Sequence, residues 1–384
     1  MLCTRAKLPE SSQGQKPRRK QLCVLLPEFG MNKQEEKGME QTIKKNKTKG
    51  TFSPGKVIDL VAQKRWLIPL TLIVVYVIAF AVLYPSVFLT KYNLASLLLE
   101  FSIPAFVIIG MAIQLINGEI DLSVGYVVMF SNVCVACLIV LGVPVWGAIA
   151  ITVLFCALIG WLVGVLVAGV GVNSFIATLG SGMAFYGLGL MVFDYGYKYG
   201  TNNPNPNGLD LLHLPDSFKN IAQLQIGGFQ LPVYYALAVI AVFVVLMSKS
   251  KYFKQYYYIG MNKEAAELSG IRVKRTKIAA FVISATLSSL AGVLLVARMG
   301  SGATTLGVGM ELKAITAVVI GGVSFKGGRG TMIGAVFGGL FVYCVNNALR
   351  ITNAPSNLYK VIEGLILLCA VILDAQFSKR KIVG

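Results

Sequence analysis

The sequence predicts an all-α integral membrane protein, a polytopic bundle of about ten transmembrane helices with one short or re-entrant segment. Of its 384 residues, 55% are hydrophobic and only 14% are charged, and the mean hydropathy is +0.69. A chain this apolar cannot bury all of its nonpolar surface in a water-soluble core. From Trp66 onward, apolar runs long enough to cross a hydrocarbon core about 30 Å thick follow one another with short polar breaks. Lipid is therefore the main solvent of this protein.

The apolar runs divide the chain into a membrane domain and two polar tails. The predicted spans lie at 66–84, 94–116, 124–141, 145–169, 174–193, 231–247, 278–297, 311–324, 331–349 and 357–374. The eighth is short and Gly-rich, which indicates a broken or re-entrant helix that protein must shield from lipid. The predicted regions are a disordered basic tail at 1–56, the transmembrane domain at 57–377 and a basic C-terminal tail at 378–384. Met31 and Met39 lie in the first tail, and translation from either would leave the membrane domain whole.

Basic residues are concentrated in segments that one orientation places on the cytoplasmic side. The chain has 35 Lys and Arg residues against 17 Asp and Glu residues, a formal net charge of +18. Of those 35, 28 lie in the segment before Trp66, the 248–277 loop, the 324–330 turn and the C-terminal cluster. An even number of spans with both termini in the cytoplasm puts all four segments on that side, as the positive-inside rule requires. The long 194–230 loop then faces outward, and this charge distribution excludes nucleic acid as a partner.

The cysteines and the single histidine do not indicate a metal or catalytic site. Five of the seven cysteines lie in apolar runs, so we expect free thiols rather than a disulfide framework. Cys134 and Cys137 form a Cys-x-x-Cys pair without a second ligand pair, which favours buried helix positions over a metal site. His213 has no second ligand at a suitable spacing. No metal site and no catalytic residues are therefore predicted.

The 248–277 loop contains a predicted short helix between two membrane spans. Asn262 is a suitable N-cap, the residues from Glu264 to Leu268 are good helix formers, and Gly270 is a natural stop. The apolar side chains Ala265, Ala266 and Leu268 suit a groove on a partner protein. On spacing alone, an ordinary amphipathic helix at the membrane surface is the simpler interpretation.

This loop resembles the coupling loop in the permeases of ribose-type (simple sugar) ABC importers, within the branched-chain amino acid and sugar permease superfamily. That family carries Gly-Asn-x-Glu-Ala-Ala-x-x-Ser-Gly-Ile, and this chain departs at Met261, where Gly is usual. Other stretches similar to the family lie at 118–125 (Gly-Glu-Ile-Asp-Leu-Ser-Val-Gly), 174–180, 311–330 and 346–347. The resemblance covers the chain from about Pro54 to its C-terminus.

The resemblance implies a permease of the bacterial cytoplasmic membrane that imports ribose or a related monosaccharide. It implies three protein partners: a cytoplasmic ABC ATPase subunit, an extracytoplasmic sugar-binding protein, and a second permease copy in a homodimer or heterodimer. By the same likeness, the residues that contact the ATPase are Asn262, Glu264, Ala265, Ala266, Ser269 and Gly270. The chain has no Gly-x-x-x-x-Gly-Lys-Ser/Thr phosphate loop, so no cofactor is predicted and ATP is used by the partner subunit.

Isolated charges beside apolar spans need a physical reason, because a charge at a span centre costs about 2.5–3.5 kcal/mol on insertion scales. Glu119, Asp121, Glu311 and Lys313 are the candidates for the pathway or its gates, and Glu363 is a further isolated charge. Each lies near a predicted span end, so helix capping or snorkelling is the simpler explanation. Lys313 stands where the family commonly has Asp, and Glu119 where it has Gly, so the resemblance does not determine the substrate.

Two other functions stay open at this point. Permeases for branched-chain amino acids or nucleosides share the same architecture within the superfamily. A stand-alone secondary transporter or channel is the alternative from another class, but it would need coupling charges deep in the bundle, and mid-span positions carry hardly any. No Ser, His and Asp arrangement and no carboxylate pair indicates an enzyme.

Overall fold

The computed structural model describes residues 66–200 and 214–380, and these residues are mainly helical. The helices are α1 (Leu67–Leu83), α2 (Pro85–Phe88), α3 (Lys91–Ile116), α4 (Val124–Val140), α5 (Val145–Gly164, continued by the π-helical turn Val165–Val170), α6 (Ser174–Gly200), α7 (Asp216–Gln223), α8 (Leu231–Lys249), α9 (Lys251–Met261), α10 (Lys263–Leu268), α11 (Val273–Met299), α12 (Met310–Ile320), α13 (Met332–Ile351) and α14 (Ser356–Arg380). Strands β1 (Gln225–Ile226) and β2 (Phe229–Gln230) form a small antiparallel hairpin with Ile226 opposite Phe229. The predicted tail 1–56 and His213 lie outside the described residues.

Every predicted apolar span falls on a helix of the described chain. Six helices are long and apolar enough to cross a membrane: α3, α5 with its π-helical turn, α6, α8, α11 and α13. Helices α1 and α4 are apolar but shorter. The predicted short segment is α12, whose 11 residues rise only about 16 Å. The structure therefore shows a mostly helical membrane protein, while the count of ten crossings and the cytoplasmic placement of both termini stay predictions.

Helices α3 and α11 form the centre of the bundle, and α6 lies at its periphery. In the apolar part of α3, 78% of the residues are buried, against 22% in α6. Large apolar side chains on the outer helices point away from the protein, among them Trp146 on α5 and Met191 on α6. In a membrane protein such a surface faces lipid tails, which are as apolar as the side chains themselves. The protein-facing polar chemistry is therefore concentrated around α3, α4 and α11.

Glycines let neighbouring helix backbones approach closely. A Cβ added at Gly160 of α5 would lie 2.6 Å from the carbonyl oxygen of Phe281 on α11. At Gly338 of α13, an added Cβ would overlap with the backbone of Ala317 and Gly321, where α12 ends. The helices are therefore tightly packed at these positions, and Gly160 serves packing within this chain.

The 194–230 and 248–277 loops contain more secondary structure than the sequence predicted. Helix α6 continues to Gly200, and α7 and the hairpin occupy the later part of the first loop. In the second loop, α9 precedes the predicted short helix. The sequence of α9 begins with Lys-Tyr-Phe-Lys-Gln-Tyr-Tyr-Tyr, in which five aromatic residues of moderate helix propensity outnumber the good helix formers Lys and Gln.

We expect Gly338→Ala to lower the free energy of unfolding by about 1–3 kcal/mol, because the new methyl group must displace backbone atoms of α12. Gly187→Ala is the matched control, since an added Cβ at this α6 position meets nothing within 4 Å. The thermal unfolding midpoint of Gly187→Ala should stay unchanged or rise slightly, because Ala stabilises a helix by up to about 1 kcal/mol relative to Gly. Thermal unfolding of the two purified variants in detergent measures both changes in stability. Equal midpoints for the two variants would contradict the close helix contact.

Candidate functional site

Helix α10 is a short capped helix between α9 and α11. The side-chain oxygen of Asn262 accepts a hydrogen bond from the backbone N–H of Ala265 at 3.0 Å, which caps the helix start. Gly270 adopts a φ of +81°, the left-handed conformation that glycine accepts without strain. The Gly270 N–H donates to the carbonyl of Glu267 at 2.9 Å and closes the helix end. The predicted N-cap and stop residues are therefore confirmed.

The side chains of α10 divide between the protein and the solvent. Ala266 is only 3% exposed and packs with Ile259 and Val273, so it anchors the helix to its own chain. Leu268 is 91% exposed, so its apolar side chain is free to contact a partner. The other residues predicted to contact an ATPase are exposed: Asn262, Glu264, Ala265, Ser269 and Gly270. The structure thus presents five of the six predicted contact residues outward and turns the sixth inward.

Gly260, at the end of α9, connects α10 to the membrane bundle. A Cβ at this position would overlap with the carbonyl oxygen of Ile116 and the backbone nitrogen of Gly328. These two groups also bind each other, because the Gly328 N–H donates to the Ile116 oxygen at 2.8 Å. The end of α9, three residues before the start of α10, is therefore in direct backbone contact with the end of α3 and with the 324–330 turn.

An ion pair lies close to this contact. The ammonium of Lys277 on α11 binds the carboxylate of Glu119, and the two side chains are 13% and 12% exposed. Both groups are largely shielded from water, so neither can lose its partner without a desolvation penalty. Glu119, predicted as a pathway or gating residue, is thus placed as a link between the α3–α4 connection and α11.

Asp121 is buried at the centre of the connection between α3 and α4. Its carboxylate is only 2% exposed and accepts three hydrogen bonds. Two come from Ser123, from the backbone N–H at 3.0 Å and the hydroxyl at 2.5 Å, and one comes from the hydroxyl of Ser284 on α11 at 2.9 Å. Asp121 therefore ties this connection to α11 and does not line an open channel.

Two hydroxyl side chains of α6 satisfy the backbone of the same connection. The Ile120 N–H donates to the hydroxyl oxygen of Ser174 at 3.3 Å, and the Leu122 N–H donates to that of Thr178 at 3.1 Å. The Thr178 hydroxyl in turn donates to the carbonyl of Ser174 at 2.7 Å. The stretches 118–125 and 174–180, which resemble the permease family separately, thus form one hydrogen-bonded unit.

Glu311 begins α12 and packs against α4. It is 8% exposed, and its carboxylate accepts a hydrogen bond from the Gly309 N–H at 3.1 Å. A Cβ at Gly125 would overlap with the Glu311 carboxylate, so glycine is required for this contact. The preceding 300–309 loop is held by Asn132 of α4, whose side chain accepts from the Ala303 N–H at 2.9 Å. Glu311 is thus part of the packing between the short helix and α4.

A cavity of about 940 Å³ lies among α3, α11, α12, α13 and α14. Its charged lining residues are Glu100, Arg298, Lys313, Arg350, Lys360 and Glu363. Lys313 binds Glu363 at 2.8 Å, and the Arg350 guanidinium binds both oxygens of the Glu100 carboxylate. The cavity opens to the surface, since Leu312 on its wall is 50% exposed. Charges inside a membrane bundle commonly mark a path for polar solutes.

The cavity contains only one of the four predicted pathway residues. Lys313 lines it, while Glu119, Asp121 and Glu311 make the contacts described above and are not among the lining residues. Sequence reasoning missed the ion pair of Glu100 and Arg350, and the two further lining cations. Glu100 is an acidic residue inside the predicted 94–116 span, which signals a functional charge. Its partner Arg350 is 250 residues away along the chain, so the sequence does not reveal the pair.

Comparisons with known proteins agree with the membrane architecture. Residues 93–371 match the family described as "Branched-chain amino acid transport system / permease component". The chain is 34% identical over 333 residues to the L-arabinose transport system permease protein AraH of Escherichia coli, covering 87% of this chain and 95% of that protein. It is 32% identical over 309 residues to the D-allose transport system permease protein AlsC of Escherichia coli, covering 80% and 91%.

A third similar protein is the ribose import permease protein RbsC of Haemophilus influenzae, 31% identical over 290 residues, which covers 76% of this chain and 87% of that protein. No solved structure is significantly similar to the chain. The match extends over nearly the full length of these permeases, so the similarity concerns the whole membrane domain and not one motif.

We expect Lys277→Met to destabilise the protein by about 1–3 kcal/mol, because the shielded Glu119 carboxylate loses its partner. The double variant Glu119→Gln with Lys277→Met should recover part of this loss, since it leaves no uncompensated charge. Lys274→Met, an exposed position one turn away, is the control and should have little effect. Thermal midpoints in detergent compare the variants. A double variant no more stable than Lys277→Met would show that the pair does not act as a unit.

Proposed function

Since this chain belongs to the family of branched-chain amino acid transport system permease components, we propose that it is the membrane-spanning permease subunit of an ABC importer for a simple sugar, with ATP hydrolysed by a separate subunit. The sugar assignment is supported by the relatives named for L-arabinose, D-allose and ribose. Three different monosaccharides among these names define the class of solute but not its member.

The observation that carries the proposal is the exposed face of α10. A short capped helix stands on the polar side of the bundle with Glu264 and Leu268 directed outward. Exposure of a Leu side chain to water is unfavourable by roughly 1.5–3 kcal/mol relative to burial, so a partner that covers it gains that energy. A cytoplasmic ATPase subunit with a groove for α10 is the partner that the proposed function requires.

Movement of α10 has a direct mechanical route into the membrane. The coupling helix follows Gly260, whose backbone contacts Ile116 and Gly328 leave no room for sliding. A shift of α10 driven by ATP therefore moves the end of α3, and through Glu119 and Lys277 it also moves the start of α11. Packed elements of this kind move as rigid bodies between discrete arrangements.

The cavity beside Lys313 is the proposed section of the solute pathway in this subunit. Its polar lining includes Thr316, Tyr343, Asn346 and Tyr359, groups that can exchange hydrogen bonds with sugar hydroxyls. Because the cavity opens at the protein surface, a second permease copy can complete its wall. A sugar-binding protein on the other side of the membrane from α10 then delivers the solute.

Branched-chain amino acids are the second candidate solutes, because the family description itself names them. Uptake assays with labelled ribose, allose, L-arabinose and leucine in cells that produce the complete complex distinguish the two. Gradient-driven uptake by the purified chain alone in liposomes would instead reveal a stand-alone secondary transporter.

We expect Glu264→Arg and Leu268→Arg each to weaken co-purification of the ATPase at least about tenfold, which corresponds to a loss of about 1.4 kcal/mol of binding free energy. Both side chains are exposed, so the fold itself should keep its thermal midpoint. Asp216→Arg is the matched control, because it reverses an exposed acidic residue at the start of α7, outside the cytoplasmic loop. If the ATPase still co-purifies with both α10 variants and import is unchanged, the docking site is wrong.

A further inference from the structure

The cavity beside Lys313 has an excess of positive charge. Four basic and two acidic side chains line it, as given above. Both carboxylates form ion pairs, Glu363 with Lys313 and Glu100 with Arg350. Within the described part of the chain, Arg298 and Lys360 form no ion pair. The cavity wall therefore carries two more cations than carboxylates.

Arg298 lies where the protein partly shields its charge from water. It stands at the last turn of α11, the helix at the centre of the bundle, and is partly buried. Lys360, on α14, is exposed and contributes its charge from the rim. Clefts with low-dielectric walls focus the field of such charges and raise the local concentration of oppositely charged solutes. Arg and Lys side chains are also the groups that line pores for anions and phosphate.

A neutral sugar does not require this arrangement. Hydroxyl groups are recognised by amides, hydroxyls and paired charges, and the cavity already provides these in Asn346, Tyr343 and the two ion pairs. The excess of two cations along the cavity wall matches a solute group of opposite charge. The group with matching chemistry is a carboxylate or a phosphate.

We propose that the solute carried past Arg298 and Lys360 is an acidic monosaccharide, one that bears a carboxylate or a phosphate group. This inference rests on the proposed function, since it assumes that the cavity belongs to the import pathway. It narrows the solute class from simple sugars in general to their anionic derivatives. Arg298 binds the acidic group, and the polar side chains around it bind the hydroxyls.

The test uses the complete complex of permease, ATPase and binding protein in liposomes, with ATP supplied on the ATPase side. Labelled D-ribose, D-glucuronate and D-ribose 5-phosphate are offered separately at equal concentrations. We expect one or both acidic sugars to enter faster than D-ribose, and the two acidic probes distinguish a carboxylate from a phosphate. Arg298→Gln and Lys360→Gln should each slow the preferred acidic sugar about tenfold, the lower end of electrostatic steering effects.

Matched variants separate charge from structure. Arg298→Lys keeps the positive charge and should retain most of the uptake, while Lys219→Gln removes a cation that pairs with Asp216 outside the cavity and should have no effect.

Three outcomes overturn the inference. If D-ribose is imported and neither acidic sugar is, the inference is wrong and the proposed importer function stands. If Arg298→Gln and Lys360→Gln slow the uptake of every solute equally, the two cations act in docking of the binding protein and not in binding an acidic group. If the complex imports none of these three sugars and neither L-arabinose nor D-allose, the proposed function is wrong as well.

Discussion

The structure depends on one constraint: a backbone that leaves the helical conformation inside a membrane bundle must find hydrogen-bond partners within the protein. The connection between α3 and α4 meets this constraint with side chains from two distant helices. Ser174 and Thr178 of α6 accept its backbone N–H groups, and Asp121 binds Ser284 of α11. An unsatisfied polar group there would cost several kcal/mol in a lipid-like medium. These bonds hold α3, α4, α6 and α11 in one arrangement.

In the proposed function, the same constraint explains how α10 can act on the membrane domain. The turn at 324–330 is irregular backbone, and the Gly328 N–H is satisfied by the last carbonyl of α3, that of Ile116. Gly260 packs on both groups, so the chain that carries α10 is part of this closed network. Because the partners are backbone atoms at direct contact, a displacement cannot be absorbed by side-chain rotation. The network therefore transmits movement instead of damping it.

Charge placement separates the residues that hold the bundle together from those that line the proposed pathway. Glu119, Asp121 and Glu311 each meet a partner in the packed interior and hold elements together. The cavity beside Lys313 differs, because cations exceed carboxylates there and the wall is open. The excess of cations along this open wall supports the proposed role of the cavity in solute passage.

Much of the helical framework follows from local sequence. Apolar runs placed a helix at each predicted span, and Asn262 and Gly270 set the ends of α10, because hydropathy and capping depend only on near neighbours. Tertiary structure alone decided which way residues face: Ala266 turns inward, although it lies in the middle of the outward-facing motif. It also brought Glu100 to Arg350 across 250 residues of chain. Such pairings depend on how helices pack, and helix packing is set by long-range contacts that no local pattern in a single sequence encodes.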